Sequence, residues 1–395
     1  MNVTIVPETL AGTVTPPASK SQAHRAVLAL ALAEGTGKLS NLAMSEDIQA
    51  TCGCVAALKS GGPAGADGLP RLDCGESGST LRFLIPVALA LRGGGHFIGR
   101  GRLMERPQEP YFTIFQERGI FWEKTAGTLT VRGRLTPGVY ALRGDVSSQF
   151  VTGLLYALPL LAGESRILLT TPLESRGYVD MTLNTLEQFG VRVEYDGDRT
   201  FRVPGEQRYQ ARDLTIEADW SNAAFWYAAR FLGCPVEATG LNPDSPQGDR
   251  VIEAYYARLK EAGPAELDVS QCPDLVPPLA AMAALRAGET TRIVNAARLR
   301  IKESDRLAAV TEVLNALGAQ VEEREDHLVI RGVERLAGGV TVSGHNDHRI
   351  AMMAAVAAIR CREAVTVTGA ECVRKSYPEF WEEYRGLGGK VTCGI

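Results

Sequence analysis

The residues of this sequence that could do chemistry are cations, hydroxyls and carboxylates gathered at the predicted starts of helices. The densest group lies within residues 298–306. We place its Lys302, Glu303 and Arg306 on the first turn of an amphipathic helix, facing away from the core. Three charges at a helix start favour an anion-binding site, although a solvated helix face with an i,i+3 Glu–Arg pair has the same pattern.

Two further groups lie nearer the end of the chain. Asn346-Asp-His-Arg349 precedes an apolar helix, and Arg374-Lys375-Ser-Tyr-Pro378 precedes the last helix. Both carry more polar side chains than a helix cap requires. Asp274, in Gln271-Cys-Pro-Asp274, is a plausible N-cap when it is considered alone.

The first half of the chain has comparable motifs. Lys20 and Ser21, followed by Arg25, place two cations and a hydroxyl on the first turns of a helix. The Gly/Ser turn of residues 75–82 lets backbone N–H groups approach a phosphate or carboxylate closely. It is not a P-loop, because no Gly-Lys-Ser/Thr follows at the required spacing. A solvated helix start and a plain capped turn are the simpler interpretations.

Hydrogen-bonding side chains again exceed the need for a cap at Ser147-Ser148-Gln149. The second hydroxyl and the amide indicate a ligand. Arg106, in Met104-Glu-Arg-Pro107, is by itself most simply a surface charge before a helix. Repetition argues for function, because charged and hydroxyl residues recur at one predicted helix start after another, where a scaffold needs only one cap each.

These helix starts belong to a sixfold repeat. Each copy has a polar start, a helix-length apolar run rich in Ala and Leu, a short break and a strand. The runs begin near Ser19, Gly75, Gly144, Ala218, Ser270 and Gly344. They are apolar nearly all round, which indicates full burial. Their uneven spacing excludes a solenoid array and indicates six diverged copies of one unit. Three buried helices per half would form an interior, so we expect two lobes of three units, divided near residues 216–219.

A second set of helices alternates with the first. Each has an apolar stripe that ends at a glycine, where a left-handed C-cap is expected. These glycines are Gly61, Gly119, Gly190, Gly263, Gly318 and Gly386. β-rich segments follow, such as residues 191–195 and 321–323. If the buried helices of a lobe are parallel, their positive ends converge on one face, and two opposed faces form a cleft for anionic ligands.

Composition limits the possible partners. The 395 residues are 45% hydrophobic and 22% charged, which is typical of a folded chain of two or three domains. The net charge of −4 gives no global attraction for nucleic acid or an anionic membrane. No apolar run approaches ~20 residues and the start lacks the features of a signal peptide, so we expect a cytoplasmic protein. Any anion site must come from a local concentration of cations.

The cysteines predict neither a disulfide scaffold nor a metal site. All eight are scattered through the chain, which favours reduced thiols. Cys52-Gly-Cys54 lies in an apolar-periodic segment without a matching Cys or His pair at zinc spacing, so we predict core packing there. We predict no metal and no cofactor.

Taken together, the motifs resemble those of the 5-enolpyruvylshikimate-3-phosphate (EPSP) synthase family over essentially the whole chain. The resemblance rests on Ser19-Lys20-Ser21 with Arg25, residues 75–82, Glu105-Arg106-Pro107, Val146-Ser-Ser-Gln-Phe150, Lys302-Glu-Ser-Asp-Arg306, Asn346-Asp-His-Arg349 and Lys375-Ser-Tyr-Pro378. It implies an α/β (α+β) fold, a two-lobed inside-out α/β barrel of six βαβαββ units, three per lobe, with buried parallel helices. Residues 18–217 would form the amino-terminal lobe, and residues 1–17 with 218–395 the carboxyl-terminal lobe.

The resemblance also implies a reaction. The family transfers the enolpyruvyl (carboxyvinyl) group of phosphoenolpyruvate to the 5-hydroxyl of shikimate 3-phosphate and releases phosphate. One acid must protonate the vinyl carbon and one base must take the hydroxyl proton, among many anion-binding groups. By position, Asp274 resembles the residue that takes the hydroxyl proton and Glu303 the one that protonates the methylene carbon. Lys20 resembles a residue that bridges both substrates and assists proton transfer.

Two sets of binding residues follow from the resemblance. Shikimate 3-phosphate would contact Lys20, Ser21, Arg25, Ser147, Ser148, Gln149, Ser175, Asp274 and Lys302, with Tyr178 near its ring. Phosphoenolpyruvate would contact Lys20, Gly78, Arg106, Gln149, Arg306, Arg349 and Lys375. A side chain at position 78 would crowd a small anion against the backbone. The chain departs from some relatives at Ala18, often glycine, and at Arg298, which is Asn in some branches.

Glu303 presents a physical difficulty, because Lys302, Arg306 and a helix N-terminus disfavour its acid form. Our hypothesis is that the bound polyanions, with exclusion of water on lobe closure, make it able to donate a proton.

Three other functions are distinguishable. The sister enzyme that uses a UDP-aminosugar would carry Lys-Asn near its start and a reactive cysteine in an amino-terminal loop, whereas this chain has Lys20-Ser21 and no cysteine around Arg106. A nucleic-acid-processing protein on related repeats would be basic and rich in aromatic residues, and this chain has 7% aromatic residues. A non-catalytic phosphometabolite binder could dispense with Asp274 and Glu303 together. We expect a monomer, as the family resemblance suggests.

Overall fold

The chain forms two compact units in a computed structural model that describes residues 1–60 and 64–394. The amino-terminal unit is Lys20–Ile216, and the carboxyl-terminal unit is Met1–Ser19 with Glu217–Ile395. Each unit has its own hydrophobic core. The C-cap predicted at Gly61 lies outside the described residues.

Helices and strands alternate along most of the chain. The helices are α1 (Lys20–Leu32), α2 (Glu46–Ser60), α3 (Gly78–Arg92), α4 (Glu109–Arg118), α5 (Ser148–Ala157), α6 (Arg176–Gln188), α7 (Trp220–Phe231), α8 (Ile252–Lys260), α9 (Val276–Ala284), α10 (Arg306–Ala316), α11 (His348–Ala358) and α12 (Phe380–Gly386). The strands are β1 (Asn2–Val6), β2 (Gly12–Val14), β3 (Leu39–Ser40), β4 (Arg71–Asp73), β5 (Gly94–Ile98), β6 (Phe121–Lys124), β7 (Thr128–Arg132), β8 (Val139–Leu142), β9 (Ser165–Leu169), β10 (Glu194–Tyr195), β11 (Thr200–Val203), β12 (Leu214–Thr215), β13 (Val236–Ala238), β14 (Ala265–Asp268), β15 (Thr290–Val294), β16 (Gln320–Glu323), β17 (Leu328–Arg331), β18 (Thr341–Ser343), β19 (Val365–Thr368) and β20 (Lys390–Gly394).

Two kinds of helix alternate, as the sequence predicts. The apolar runs form α1, α3 and α5 in the amino-terminal unit and α7, α9 and α11 in the carboxyl-terminal unit. Every residue of α9 and of α11 is buried. The intervening helices bury one face; α6, for example, buries Val179, Met181, Thr182, Thr185 and Leu186. This pattern explains why the first set lacks an exposed polar face.

Three four-stranded sheets share one topology that places the starts of the buried helices. In the order β4-β5-β7-β6, the first two strands are parallel and α3 connects them, while β7 pairs antiparallel with both β5 and β6. The sheets β8-β9-β11-β10 and β14-β15-β17-β16 repeat the pattern around α5 and α9. Each buried helix therefore begins just after the carboxyl end of a parallel strand, the edge where open α/β sheets bind ligands.

The first strand of the chain completes the sheet formed by the last residues. In the order β18-β19-β1-β20, α11 connects the parallel strands β18 and β19, and β1 pairs antiparallel with β19 and β20. β1 thus occupies the place that β7 has in its own sheet. β2 likewise pairs with β13 in the same unit.

Two of the predicted left-handed C-caps are wrong. α4 ends at Gly119 with φ 65°, and Gly190 and Gly318 follow α6 and α10 with φ values of 77° and 100°, as expected for left-handed C-caps. Gly263 does not cap α8, because Glu261 already leaves that helix in an extended conformation. Gly386 is the last residue of α12, and Gly388 beyond it takes the left-handed conformation with φ 93°.

Other features bear on the sequence predictions. All eight cysteines, each within the described residues, are free thiols. Residues 1–60 and 64–394 contain no group of three or more His, Cys, Asp or Glu side chains placed to hold a metal ion. Among the described helices, none combines the length and the apolar character needed to cross a membrane.

The position of β1 generates a stability prediction. Val3 is 0% exposed between β19 and β20, whereas Val6 on the same strand is 44% exposed. Val3→Ala removes two buried methyl groups and should lower the free energy of unfolding by about 2 kcal/mol, measured by urea denaturation. Val6→Ala is the matched control and should change it by less than ~0.5 kcal/mol. Equal losses would contradict a structural role for the amino-terminal strand.

Candidate active site

Arg306 is the centre of a buried ion-pair network in the carboxyl-terminal unit. Its side chain is 1% exposed, and its three nitrogens contact three carboxylates, with Nη2 also donating to Asp347 Oδ1 at 3.3 Å. Nη1 lies 2.6 Å from Asp274 Oδ1, Nη2 lies 2.6 Å from Glu303 Oε2 and Nε lies 2.7 Å from Asp347 Oδ2. One guanidinium therefore holds both carboxylates that the resemblance assigns to proton transfer.

The segment that carries Lys302 and Glu303 differs from its predicted position. These two residues lie between the 3-10 helix Ala297–Ile301 and α10, whose first residue is Arg306. The prediction that all three charges stand on the first helical turn and face away from the core is therefore wrong. Asp305 caps α10 by accepting from the Ala308 N–H at 3.2 Å, so the helix starts at Arg306. Arg306 can be buried because three carboxylates pair with it.

Asp274 binds cations instead of capping a helix. It lies inside the 3-10 helix Pro273–Leu275, whose N-cap is Cys272, and the N-cap of α9 is Leu275. Arg349 Nη2 lies 3.1 Å from its Oδ2, and Lys302 Nζ lies 3.7 Å from its Oδ1. Burial acts to raise the pKa of Asp274, but Arg349, Lys302 and Arg306 together hold that pKa well below its ordinary value. Asp274 is thus a half-buried carboxylate kept charged by three cations.

The cations of this cluster are positioned by the starts of neighbouring helices. Burial is the main cause that lowers the pKa of Lys302 to about 8, against the opposing charge of Asp274. Arg349 is the second residue of α11, and Asp347 caps that helix by accepting from the Arg349 N–H at 3.0 Å. Lys375, 4% exposed, donates from Nζ to the Asn346 carbonyl at 2.7 Å. Arg298 donates to the Ser270 carbonyl at 2.5 Å, away from those carboxylates.

Two acidic residues of this cluster were missed by the sequence analysis. Asp347, 0% exposed, lies inside a motif that was singled out, but only its value as a cap was visible. Asp249 is buried in the 3-10 helix Gly248–Val251, outside any repeated motif. Burial, with the negative charge of Asp274, raises the pKa of Asp249 to about 6, and Arg349 opposes that change.

The amino-terminal unit positions its cations on α1. Lys20 is the first residue of α1, and its Nζ lies 2.8 Å from Oδ2 of Asp47, in the first turn of α2. Arg25 is buried and donates to the Ser21 carbonyl at 2.6 Å, to the Tyr178 carbonyl at 2.8 Å and to Thr182 Oγ1 at 2.8 Å. Arg25 therefore joins the start of α1 to α6.

α6 begins at another predicted binding residue. Ser175 precedes it in the left-handed conformation with φ 56° and is 3% exposed. Together with the Arg25 contacts, this brings Ser21, Arg25, Ser175 and Tyr178 into one part of the amino-terminal unit.

Gly78 and Arg106 are adjacent, and Arg106 is not the surface charge that it resembles in isolation. Arg106 is 6% exposed. A Cβ built on Gly78 would lie 2.7 Å from Arg106 Nη1 and 2.9 Å from its Cζ. A side chain at position 78 would therefore displace the Arg106 guanidinium that packs on the glycine.

The third buried helix, α5, contacts the second through Gln149. Ser147 caps α5 by accepting from the Gln149 N–H at 3.3 Å, and Ser148 begins the helix with 6% of its surface exposed. Gln149 accepts from Arg82 Nη1 at 2.8 Å and donates to Ser79 Oγ at 2.9 Å. Arg82 is a buried cation that sequence reasoning placed only at the end of a turn.

A buried chain of hydroxyls was also missed. His24 Nδ1 lies 2.7 Å from Thr51 Oγ1, which lies 2.6 Å from Thr80 Oγ1, which donates to Ser77 Oγ at 2.7 Å. The chain joins α1, α2 and the cap of α3. Burial lowers the pKa of His24 well below its ordinary value, so the imidazole is neutral. No local sequence pattern pairs His24, Thr51 and Thr80, because they lie on three different helices.

The fold is shared with the solved structures of an enolpyruvyl transferase and of an EPSP synthase. The structure is similar to the enolpyruvyl transferase NikO from Streptomyces tendae with a TM-score of 0.77, covering 99% of this chain and 98% of that one. At 17% sequence identity, that likeness concerns the fold alone. The structure of EPSP synthase from Acinetobacter baumannii is also similar, with a TM-score of 0.77, 25% identity and coverage of 99% and 100% of the two chains.

Sequence comparison gives the family. The family model described as EPSP synthase (3-phosphoshikimate 1-carboxyvinyltransferase) matches residues 6–384. A 3-phosphoshikimate 1-carboxyvinyltransferase from Clostridium kluyveri is 46% identical over 98% of each chain. This chain belongs to the EPSP synthase family. The predicted family, its class of activity and the predicted mixture of helices and parallel strands are confirmed.

The Arg306 network generates a prediction about buried charge. Asp347→Asn keeps a side-chain oxygen to cap α11 but removes the charge next to Arg306, and unpaired buried charges are costly. We expect a loss of about 3 kcal/mol in the free energy of unfolding, measured by urea denaturation with fluorescence of Trp220, Trp226 and Trp381 in this unit.

Asp305→Asn is the matched control. Asp305 also caps a helix and contacts an arginine, Arg300, but 38% of its side chain is exposed. Its substitution should cost less than ~1 kcal/mol. A loss as large as that of Asp347→Asn would show that capping, rather than buried charge pairing, explains the result.

Proposed function

We propose that this chain transfers the enolpyruvyl group of phosphoenolpyruvate to the 5-hydroxyl of shikimate 3-phosphate, giving 5-enolpyruvylshikimate 3-phosphate and phosphate. The observation that carries the proposal is the pairing of Asp274 and Glu303 with one guanidinium, each at 2.6 Å, in a chain of this family. A base and an acid held on a single cation are the groups that addition to a vinyl carbon requires.

The steps follow from these assignments. Glu303 donates its proton to the methylene carbon of phosphoenolpyruvate, and the adjacent carbon becomes electrophilic. The 5-hydroxyl oxygen bonds to that carbon while Asp274 takes the hydroxyl proton. The tetrahedral adduct then loses phosphate as the new methyl group returns a proton to the protein, which restores the carbon–carbon double bond. Lys20 assists these proton transfers.

The binding residues divide by substrate. Shikimate 3-phosphate is bound by Lys20, Ser21, Arg25, Ser147, Ser148, Gln149, Ser175, Asp274 and Lys302, with Tyr178 near its ring. Phosphoenolpyruvate is bound by Lys20, Gly78, Arg106, Gln149, Arg306, Arg349 and Lys375. Each set takes residues from both proposed lobes, residues 18–217 and residues 1–17 with 218–395. We also propose a cytoplasmic monomer with no nucleic-acid partner, which the net charge of −4 supports.

The charge network supplies a means of activation. Asp274 is a weak base while its pKa is held well below the ordinary value by Arg349, Lys302 and Arg306. All three cations are proposed substrate ligands. When the substrate phosphates and carboxylates compete for these cations, Asp274 becomes more basic and Glu303 retains a proton more readily. Substrate binding thus prepares both groups for proton transfer.

Phosphate release tests the function. The chain should release phosphate from phosphoenolpyruvate only when shikimate 3-phosphate is present. A non-catalytic binder would take up both compounds without releasing phosphate, and the sister enzyme would require a UDP-aminosugar instead. Absence of release with both substrates, in folded protein, would overturn the proposal.

Glu303→Gln should lower kcat by about 10²–10⁴-fold while substrate dissociation constants change by less than ~10-fold, because the amide cannot donate the proton. Asp274→Ala should also abolish turnover in a protein that remains folded. Phosphate release and calorimetric binding measure these effects. Glu323→Gln is the control, since Glu323 pairs with Arg300 at 2.6 Å outside this cluster and should leave kcat unchanged. Unchanged kcat in Glu303→Gln would exclude it as the acid.

Lys302 generates a pH prediction. Its pKa of about 8 means that the ammonium loses its proton as the pH rises through 8. Because the charged form is needed to bind a phosphate dianion, kcat/KM for shikimate 3-phosphate should fall above about pH 8. Lys302→Arg keeps its charge, so the falling limb of its kcat/KM–pH profile should move to higher pH, even if the rate is lower. Lys390→Arg, at a surface ion pair with Glu8, should retain the wild-type limb. Identical limbs in the wild type and Lys302→Arg would contradict the assignment.

A further inference from the structure

The Tyr377 hydroxyl lies in the interior of the carboxyl-terminal unit, between two helices. Tyr377 is 0% exposed; its hydroxyl accepts from Trp226 Nε1 of α7 at 3.1 Å and donates to Glu383 Oε2 of α12. Burial raises the pKa of Tyr377 and also that of Glu383. The phenol therefore stays neutral, and its hydrogen bond from Trp226 lies where competing water is excluded.

These hydrogen bonds fix one end of the 3-10 helix Ala370–Lys375. The Tyr377 N–H donates to the Val373 carbonyl at 2.7 Å, which closes the helix, and the Ser376 N–H donates to the same carbonyl at 3.0 Å. Asn222 Nδ2 donates to Ser376 Oγ at 3.3 Å. Asn222 and Trp226 are four residues apart on α7 and so share one face of it. α7 thus contacts both Ser376 and Tyr377, and α12 contacts Tyr377 through Glu383.

Lys375 is the last residue of that 3-10 helix. Its Nζ donates to the Asn346 carbonyl at 2.7 Å, just ahead of Arg349 at the start of α11. A lysine has a flexible four-carbon side chain, so the place of its ammonium depends on how firmly the backbone is anchored. Tyr377, two residues away, is fully buried and holds the backbone that follows Lys375.

We propose that Tyr377 is a positioning residue whose hydroxyl, held between Trp226 and Glu383, places Lys375 for phosphoenolpyruvate. This inference rests on the proposed function, in which Lys375 binds phosphoenolpyruvate. None of the residues proposed to bind shikimate 3-phosphate belongs to this 3-10 helix. Loss of the hydroxyl therefore affects one substrate and not the other.

Tyr377→Phe tests the proposal in the full-length protein. The variant keeps the ring in the core and removes both hydrogen bonds of the hydroxyl. We expect KM for phosphoenolpyruvate to rise by about tenfold, the order that hydrogen bonds to charged groups contribute, with kcat within about twofold of the wild type. KM for shikimate 3-phosphate should be unchanged. Glu383→Gln, with Tyr377 intact, keeps an acceptor for the hydroxyl. Its KM for phosphoenolpyruvate should therefore stay close to the wild-type value.

Tyr384→Phe is the matched control. Tyr384 is also 0% exposed in the same unit, and its hydroxyl donates to the Ala355 carbonyl at 3.2 Å. Its substitution removes the same group from the same core without touching the anchor of Lys375. It should lower thermal stability about as much as Tyr377→Phe and leave both KM values at the wild-type level. A rise of KM for both substrates in Tyr377→Phe, or a rise no larger than in Tyr384→Phe, would overturn the proposal.

Direct binding separates this inference from the proposed reaction. The dissociation constant of phosphoenolpyruvate, measured by calorimetry without shikimate 3-phosphate so that no turnover occurs, should increase about tenfold in Tyr377→Phe. If the wild type binds both compounds but releases no phosphate, the proposed reaction fails, and the binding difference still supports the positioning role. If binding of phosphoenolpyruvate is equal in the two proteins, the positioning role fails whatever the activity.

Discussion

The carboxyl-terminal unit depends on the neutralisation of one buried cation. A guanidinium with 1% of its side chain exposed is unfavourable unless carboxylates pair with it and satisfy its N–H groups. Arg306 meets this requirement with Asp274, Glu303 and Asp347, which come from the segments ahead of α9, α10 and α11. The three helix starts are therefore tied to one point, and the carboxylates proposed for chemistry are the ones that satisfy the fold.

The two units solve the same positioning problem with different chemistry. In the carboxyl-terminal unit, carboxylates and cations pair at helix starts. In the amino-terminal unit, Lys20 also pairs with Asp47 at the starts of α1 and α2, but neutral side chains supply further links: His24, Thr51, Thr80 and Ser77 form one chain, and Gln149 donates to Ser79 of α3. The proposed proton-transfer carboxylates thus lie in one unit only. The other unit supplies hydroxyls, an amide and cations, which suit recognition of a phosphorylated polyol.

Local patterns explain which features could be read from sequence. Periodicity located the buried helices, since a helix that is apolar all round has only one environment available to it. It could not show that Arg306 is buried, because its partner Asp347 lies 41 residues away and is brought near by the fold. For the same reason the local pattern alone made Asp274 only a plausible cap, and it was the family resemblance that assigned it to proton transfer. Asp249 has no local signal at all. The left-handed C-cap predicted at Gly386 was wrong for a different reason. Gly386 and Gly388 could each adopt the left-handed conformation, and the sequence pattern does not distinguish them.

The same ion pairs that stabilise the unit also restrain its chemistry, under the proposed function. Arg306, Arg349 and Lys302 are neutralised by carboxylates when no anion is bound, so the cluster is stable without substrate. A phosphorylated acid that binds these cations must replace part of that neutralisation, and Asp274 and Glu303 then lose the charges that hold them ionised. Proton transfer is therefore coupled to substrate binding. Asp274 and Glu303 can exchange protons only when a substrate anion has replaced them beside the cations. This coupling requires carboxylates and substrate to compete for the same nitrogens, which a site built from cations alone could not provide.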